Sequence, residues 1–275
     1  MVFGTMRIQA VYPTHEHEQA ARAVVDFFAA RDDTDAVILM GSCARGKAVR
    51  DSCLDFLILL RPDVFPLAKD ALERQWKEFY TSAETFRLMQ QMGKYSHVDL
   101  DFIDGRFVPK ARGWTSGPDE FELEIGNTLV YAVPLWQRSD YLDNLKAQWL
   151  PYYSETIRQE RLAMVRGFCV NNLDHIPRFV ERGLYFQSFN RLYDAFREFL
   201  QALFISRRTY PIAYDKWIRE QVEEILGMPN LYSRLPGLLE ISHFESGEIA
   251  QKARELRALV EEHLELDNPL PHKPR

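Results

Sequence analysis

The run AVILMGSCARGKAVRDSCLDFLILL, residues 36–60, sets two apolar segments on either side of a short basic loop. AVILM (36–40) is bounded by Asp35 and Gly41, and LDFLILL (54–60) ends at Arg61-Pro62, so both read as buried strands. Between them, a Gly41-Ser42 turn at a strand end lets backbone N–H groups and a hydroxyl come close to a phosphate. Arg45 and Lys47 add positive charge nearby, and Asp55 stands just inside the second strand. Acidic residues at i and i+2 of a strand point to one face and can share metal ions. Here the i position is Cys53. Hard Mg²⁺ prefers oxygen ligands, whereas thiolate suits softer ions such as Zn²⁺. A free cysteine, with a pKa of about 8.5, is mostly protonated at neutral pH.

Working outward, residues 19–30 carry Ala20, Val24, Phe27 and Phe28 at helical spacing, with Pro13-Thr14 as a start signal. Residues 67–92 also have helical periodicity. HVDLDFI (97–103) alternates, which predicts a half-buried strand with His97, Asp99 and Asp101 on one face. NTLVYAVPLW (127–136) reads as a fourth strand, with Pro134 assigning it to a sheet edge. After about 137, helical patterns take over at 138–149, 154–173, 187–206, 213–226 and 245–265. The clearest is 187–206, where Phe189, Tyr193, Phe196, Leu200 and Leu203 step by helical intervals as core. The tail LDNPLPHKPR is expected to fray. The predicted fold class is α/β (α+β): a mixed-sheet domain over 1–136 followed by an all-helical bundle domain over 137–275.

The 275 residues are 46% hydrophobic and 27% charged, enough for a buried core and inconsistent with disorder. A net charge of −6 gives no global basic footprint for nucleic acid. No apolar run approaches the roughly 18 residues needed to span a bilayer, and MVFGTMRIQAVYP does not read as a signal peptide. Three cysteines without framework spacing (43, 53 and 169) fit a reducing cytoplasm, which is the expected location.

The order Gly-Ser, short loop, then Cys53-Leu-Asp55 in an apolar strand resembles the Gly-Ser…Asp-x-Asp motif of the nucleotidyltransferase superfamily of the DNA polymerase β type. The plan of an α/β domain followed by helices is similar to that of small aminoglycoside or lincosamide nucleotidyltransferases, and RRTYPIAYDKWI (207–218) resembles their helical half more weakly. The resemblance implies transfer of a nucleoside monophosphate from an NTP to a small-molecule or protein acceptor, with Mg²⁺ (or Mn²⁺) as cofactor. It implies that Gly41 and Ser42, with Arg45 and Lys216, contact the nucleotide. It assigns metal to Asp55 and Asp99, with Asp101 in reserve, and the general base to Glu122 or, preferentially, Glu124. Tyr214 and Trp217 would stack on a base or line a substrate pocket.

Cys53 departs from that pattern at the first metal-ligand position, and Asp51, in the turn, is the nearest carboxylate that would replace it. The alternative implied is a catalytically impaired member acting by nucleotide or partner binding; a soft-metal site using Cys53 is a third reading. His15-Glu16-His17, by contrast, reads as a solvated helix start, and Cys43 and Cys53 as small half-buried thiols. No Walker-type loop, nucleophile elbow or dinucleotide fingerprint is present.

Overall fold

The computed structural model describes residues 10–110, 112–113 and 117–264; the N-terminal segment 1–9 and the tail after 264, including the stretch expected to fray, lie outside them. The chain divides into two compact units. One runs to Val108 and resumes over Glu124–Leu150; the other comprises Pro109–Leu123 and the chain from Pro151 onward.

The first unit contains α1 (His15–Ala29), β1 (Thr34–Met40), the single turn α2 (Gly41–Ala44), β2 (Leu54–Leu60), α3 (Phe65–Ser82), α4 (Glu84–Gln90) and β3 (Val98–Ile103). The short helix α5 (Phe121–Ile125) and a π-helical turn, Gly126–Val130, precede β4 (Val133–Gln137) and α6 (Tyr141–Trp149). The sheet order is β3-β2-β1-β4. β1 is antiparallel to both β2 and β4, and β2 is parallel to β3, so the sheet is mixed. The two continuous apolar runs take the two central positions, where both faces are covered. β4, with Pro134 opposite Ile38, is an edge strand, where a missing N–H is tolerated.

Alternation divides the sheet into two faces. Val37 and Leu39 of β1, with Leu54, Phe56, Ile58 and Leu60 of β2, pack on Val24 and Phe28 of α1, Trp76 of α3 and Phe86 of α4 in one core. Asp55 lies opposite Met40 on β1 and beside Asp99 on β3, so both carboxylates fall on the other face.

Four expectations change. The strand expected over 127–136 begins only at Val133, because Ile125 and Leu129, buried four residues apart, continue a helical spacing through the π turn. The helical stretch 67–92 is two helices, broken where Ala83 is extended. The segment expected to be helical over 213–226 is irregular until Ile218; Trp217 sits at φ +58°, and the Gln221 amide bonds Ile212, Ala213 and Lys216 backbone groups instead. Finally, the chain does not part once between 136 and 137. Tyr141 of α6 donates to the Asp104 carbonyl (2.7 Å) and Leu145 packs on Gly105, keeping α6 with the sheet.

The second unit is helical. Helices α7 (Glu155–Glu181), α8 (Tyr185–Ser206), α9 (Pro229–Tyr232) and α10 (Glu248–His263), with the π turn Glu220–Ile225, surround one core. Leu162, Val165, Cys169, Leu173 and Ile176 of α7 face Leu192, Phe196, Phe199 and Leu203 of α8. No described helix is long and apolar enough to cross a membrane.

Candidate metal and nucleotide site

β1 delivers the chain to Gly41, whose φ of +67° only glycine adopts without strain. A Cβ at this position would lie 2.0 Å from Asp55 Oδ2, so the turn and the carboxylate are packed backbone to side chain. Ser42 follows in the single turn α2, half-buried. Arg45 Nη1 donates to the Gly41 carbonyl (3.1 Å) and Lys47 N to the Ser42 carbonyl (2.9 Å), which closes the turn on itself.

The rest of the loop is pinned from outside. His17 is fully buried, not solvated; its Nε2 donates to the Ser52 carbonyl (2.9 Å), and its Nδ1 lies 2.8 Å from Thr14 Oγ1. Ser96 Oγ donates to the Arg50 carbonyl at 3.3 Å. Asp51 is packed against Gly93, where a Cβ would meet its side chain at 2.1 Å. Its carboxylate is not among the donors grouped with Asp55 and Asp99, so it does not replace the missing one.

Among the described residues one metal-competent group forms: one donor atom each from Cys53, Asp55 and Asp99, all within 4.8 Å of one another. The parallel register explains it, since Asp55 pairs with Asp99 and the i, i+2 spacing brings Cys53 to the same face. Cys53 Sγ donates to Asp55 Oδ1 at 3.2 Å. Burial and then the Asp55 carboxylate push this thiol up to about 12, and the same two causes push buried Cys43 up to about 12. Asp99 is exposed at the edge strand, and His97 Nε2 lies 3.1 Å from its Oδ2. Asp101 shares that face but pairs with Leu57, one step along, and is outside the group.

The remaining expected site residues lie on other elements. Glu124 is half-buried at the end of α5 and does not join the group. Glu122 is fully buried in the helical unit, bound by Arg161 through Nε and Nη2, by Tyr153 Oη (2.9 Å) and by Gln201 Nε2 (2.9 Å). A carboxylate saturated in this way is structural, so Glu122 is not a base. Lys216 is an exposed loop residue of the helical unit and opens no helix. Tyr214 is buried in that unit's core and has no face to offer a base; Trp217 is exposed.

No protein-family model matches the sequence, and no curated protein matches it. A crystal structure of a nucleotidyltransferase-like protein from Exiguobacterium sibiricum is similar over 89% of this chain and 74% of its own, at 15% identity and a TM-score of 0.43. A likeness this distant assigns no role to any residue of this chain.

The packing at Gly41 makes a direct prediction. Gly41→Ala puts a methyl into the Asp55 carboxylate and forces a left-handed alanine, a strain of about 1–3 kcal/mol before the clash is counted. The denaturant midpoint should fall with its slope unchanged; a loss no larger than that backbone strain would mean that Asp55 swings freely away, and an unshifted midpoint would mean that the turn itself rearranges.

Proposed function

We propose that this chain is a metal-dependent nucleotidyltransferase, moving a nucleoside monophosphate from an NTP to a small-molecule or protein acceptor. The observation that carries the reading is the register that sets Asp55 beside Asp99 next to the Gly41-Ser42 turn. The donor set fits one hard divalent ion on two carboxylates, completed by phosphate and water. It suits a pair of hard ions poorly, because the third donor of the group is a thiol and not a carboxylate.

Such an ion, when bound, would neutralise triphosphate charge and favour departure of pyrophosphate. Gly41 presents backbone without a side chain, and Ser42 its hydroxyl, to the phosphates; Arg45 holds the turn through the Gly41 carbonyl. The acceptor oxygen attacks the α-phosphorus, the bond to the bridging oxygen breaks, and the acceptor proton passes to a base, for which Glu124 is the candidate. Lys216 is the proposed second contact to phosphate. A net charge of −6 favours an acceptor other than long nucleic acid.

A second reading has its own support. The Cys53 thiol donates to Oδ1 of Asp55, one of the two carboxylate oxygens a metal would need. On that basis the chain binds nucleotide or a partner without turnover.

The experiment is a thermal-shift titration with ATP or GTP and Mg²⁺ or Mn²⁺, then pyrophosphate release with candidate acceptors. The first reading expects both signals and their loss in Asp99→Asn, with affinity for the metal–nucleotide weakened at least about 10-fold, since even outer partners of a metal are worth that much. A shift without pyrophosphate favours the second reading. No shift with any metal and nucleotide rejects the first reading and leaves only partner binding from the second.

A further inference from the structure

Within the helical unit, a cavity of about 330 Å³ opens where the first turns of α7 meet the C-terminal ends of α8 and α10. Its polar lining is Arg158, Ser206, Arg207, Arg208, Glu262 and His263: three guanidiniums against one carboxylate. Glu262 is itself engaged, since Arg234 Nη1 donates to both of its oxygens (3.0 and 2.8 Å). That size lies at the low end of small-ligand sites, which run from about 300 to 1,000 Å³.

Two of the cations are held in place in advance. Glu155 takes Arg158 through Nε (2.9 Å) and Arg208 through Nη2 (3.0 Å), and the two guanidiniums hold its carboxyl down to about 2. Arg207 makes no side-chain hydrogen bond or ion pair to a described residue. His263 Nε2 is buried without a hydrogen bond; it stands 3.4 Å from Glu262 Oε1, out of bonding geometry. Its pKa is lowered, first by burial and then, against Glu262, by Arg207 and Arg234, as expected beside a positive field.

Cations at helix C-termini balance the helix dipole, and that accounts for Arg207 and His263. It does not account for Arg158, which sits buried in the opening turns of α7, at the positive end of its own helix. Nor does it account for Arg208, held at φ +50° where a glycine would sit without strain. Glu155 offsets part of that charge, and Arg207 adds a guanidinium beside the pair with no side-chain partner among the described residues, an arrangement suited to an anion.

We propose that this cavity binds a phosphate dianion, free or as the monoester of a small molecule, through the forks of Arg207 and Arg208 with His263 Nε2 as a further polar partner. The proposal does not depend on what the carboxylate pair does.

Calorimetric titration of the metal-free protein at low ionic strength tests it, using inorganic phosphate, a sugar phosphate, the free sugar, and chloride at matched ionic strength. Binding of either phosphate, absent with the sugar and chloride, is expected, with the His263 imidazole resonances moving in step. The tighter of the two phosphates identifies the source. Arg207→Ala, at an exposed position that leaves the fold alone, should weaken binding about 10-fold or more, and Arg208→Gly similarly while relaxing the backbone. Phosphate heats equal to those of chloride, or unchanged affinity in Arg207→Ala, would overturn the proposal.

Discussion

Arg161→Leu is expected to destabilise the helical unit by about 3–5 kcal/mol, lowering its melting temperature by roughly 6–20 °C. The reason is what it leaves behind. Glu122 is fully buried, and two of its hydrogen bonds come from this one guanidinium, which also reaches Asp119 Oδ1 at 2.6 Å. Without Arg161, a carboxylate remains in an apolar core with only Tyr153 and Gln201 as donors, and Asp119 keeps Gln201 and the nearby Arg112. An uncompensated buried charge costs more than its pair contributes, so removing both charges should recover part of the loss. Glu122→Met combined with Arg161→Leu is therefore expected to be more stable than Arg161→Leu alone. Denaturant unfolding monitored by circular dichroism checks both points. A single-variant loss below about 1 kcal/mol would show that water reaches Glu122, and the buried network would then be a surface one.

The same network shows where residue types stop being informative. EFELE presents Glu122 and Glu124 two residues apart in one polar-apolar alternation, and nothing local tells a structural carboxylate from a reactive one. The difference comes from Arg161, Tyr153 and Gln201, residues 31 to 79 positions away. By contrast, β2 coincides with the run 54–60, because a buried strand bounded by Arg61-Pro62 states its own ends. The alternation of HVDLDFI likewise turned Asp99 and Asp101 outward together, but the choice between them belongs to the β2–β3 register, a long-range property. Two further misses have the same origin. His17 looked like a solvated helix start and is a buried anchor for Ser52, and Lys216 ends a segment whose backbone groups are taken by the Gln221 side chain. Local pattern predicts elements; partners distant in sequence decide which polar residues are used up holding them.

Cys53→Asp is expected to act in opposite directions with and without metal, and this separates the two functional readings. In a chelator, the variant sets three carboxylates within about the present spacing of 4.8 Å and removes the thiol donor from Asp55 Oδ1. Like charges this close repel, so the metal-free protein should melt lower than wild type. With Mg²⁺ or Mn²⁺ the third carboxylate completes an oxygen set, and affinity for the metal–nucleotide should rise by about 10–100-fold, the range over which single changes around a metal commonly act. At nucleotide concentrations above the dissociation constant, that gain corresponds to about 1.4–2.7 kcal/mol of added stability, read as a larger thermal shift than wild type shows. If wild type already turns over and Cys53→Asp merely speeds it, the thiol moderates a working enzyme. If only the variant binds, the thiol is what silences the site, and nucleotide transfer by the natural chain is ruled out. A variant that melts lower in chelator and gains nothing from metal would mean that Asp55 and Asp99 meet across the strands without forming a cation site at all. That outcome would remove the chemical basis of metal-dependent nucleotide binding in either reading while leaving the fold, which rests on β1, the Gly41 turn and β2, untouched.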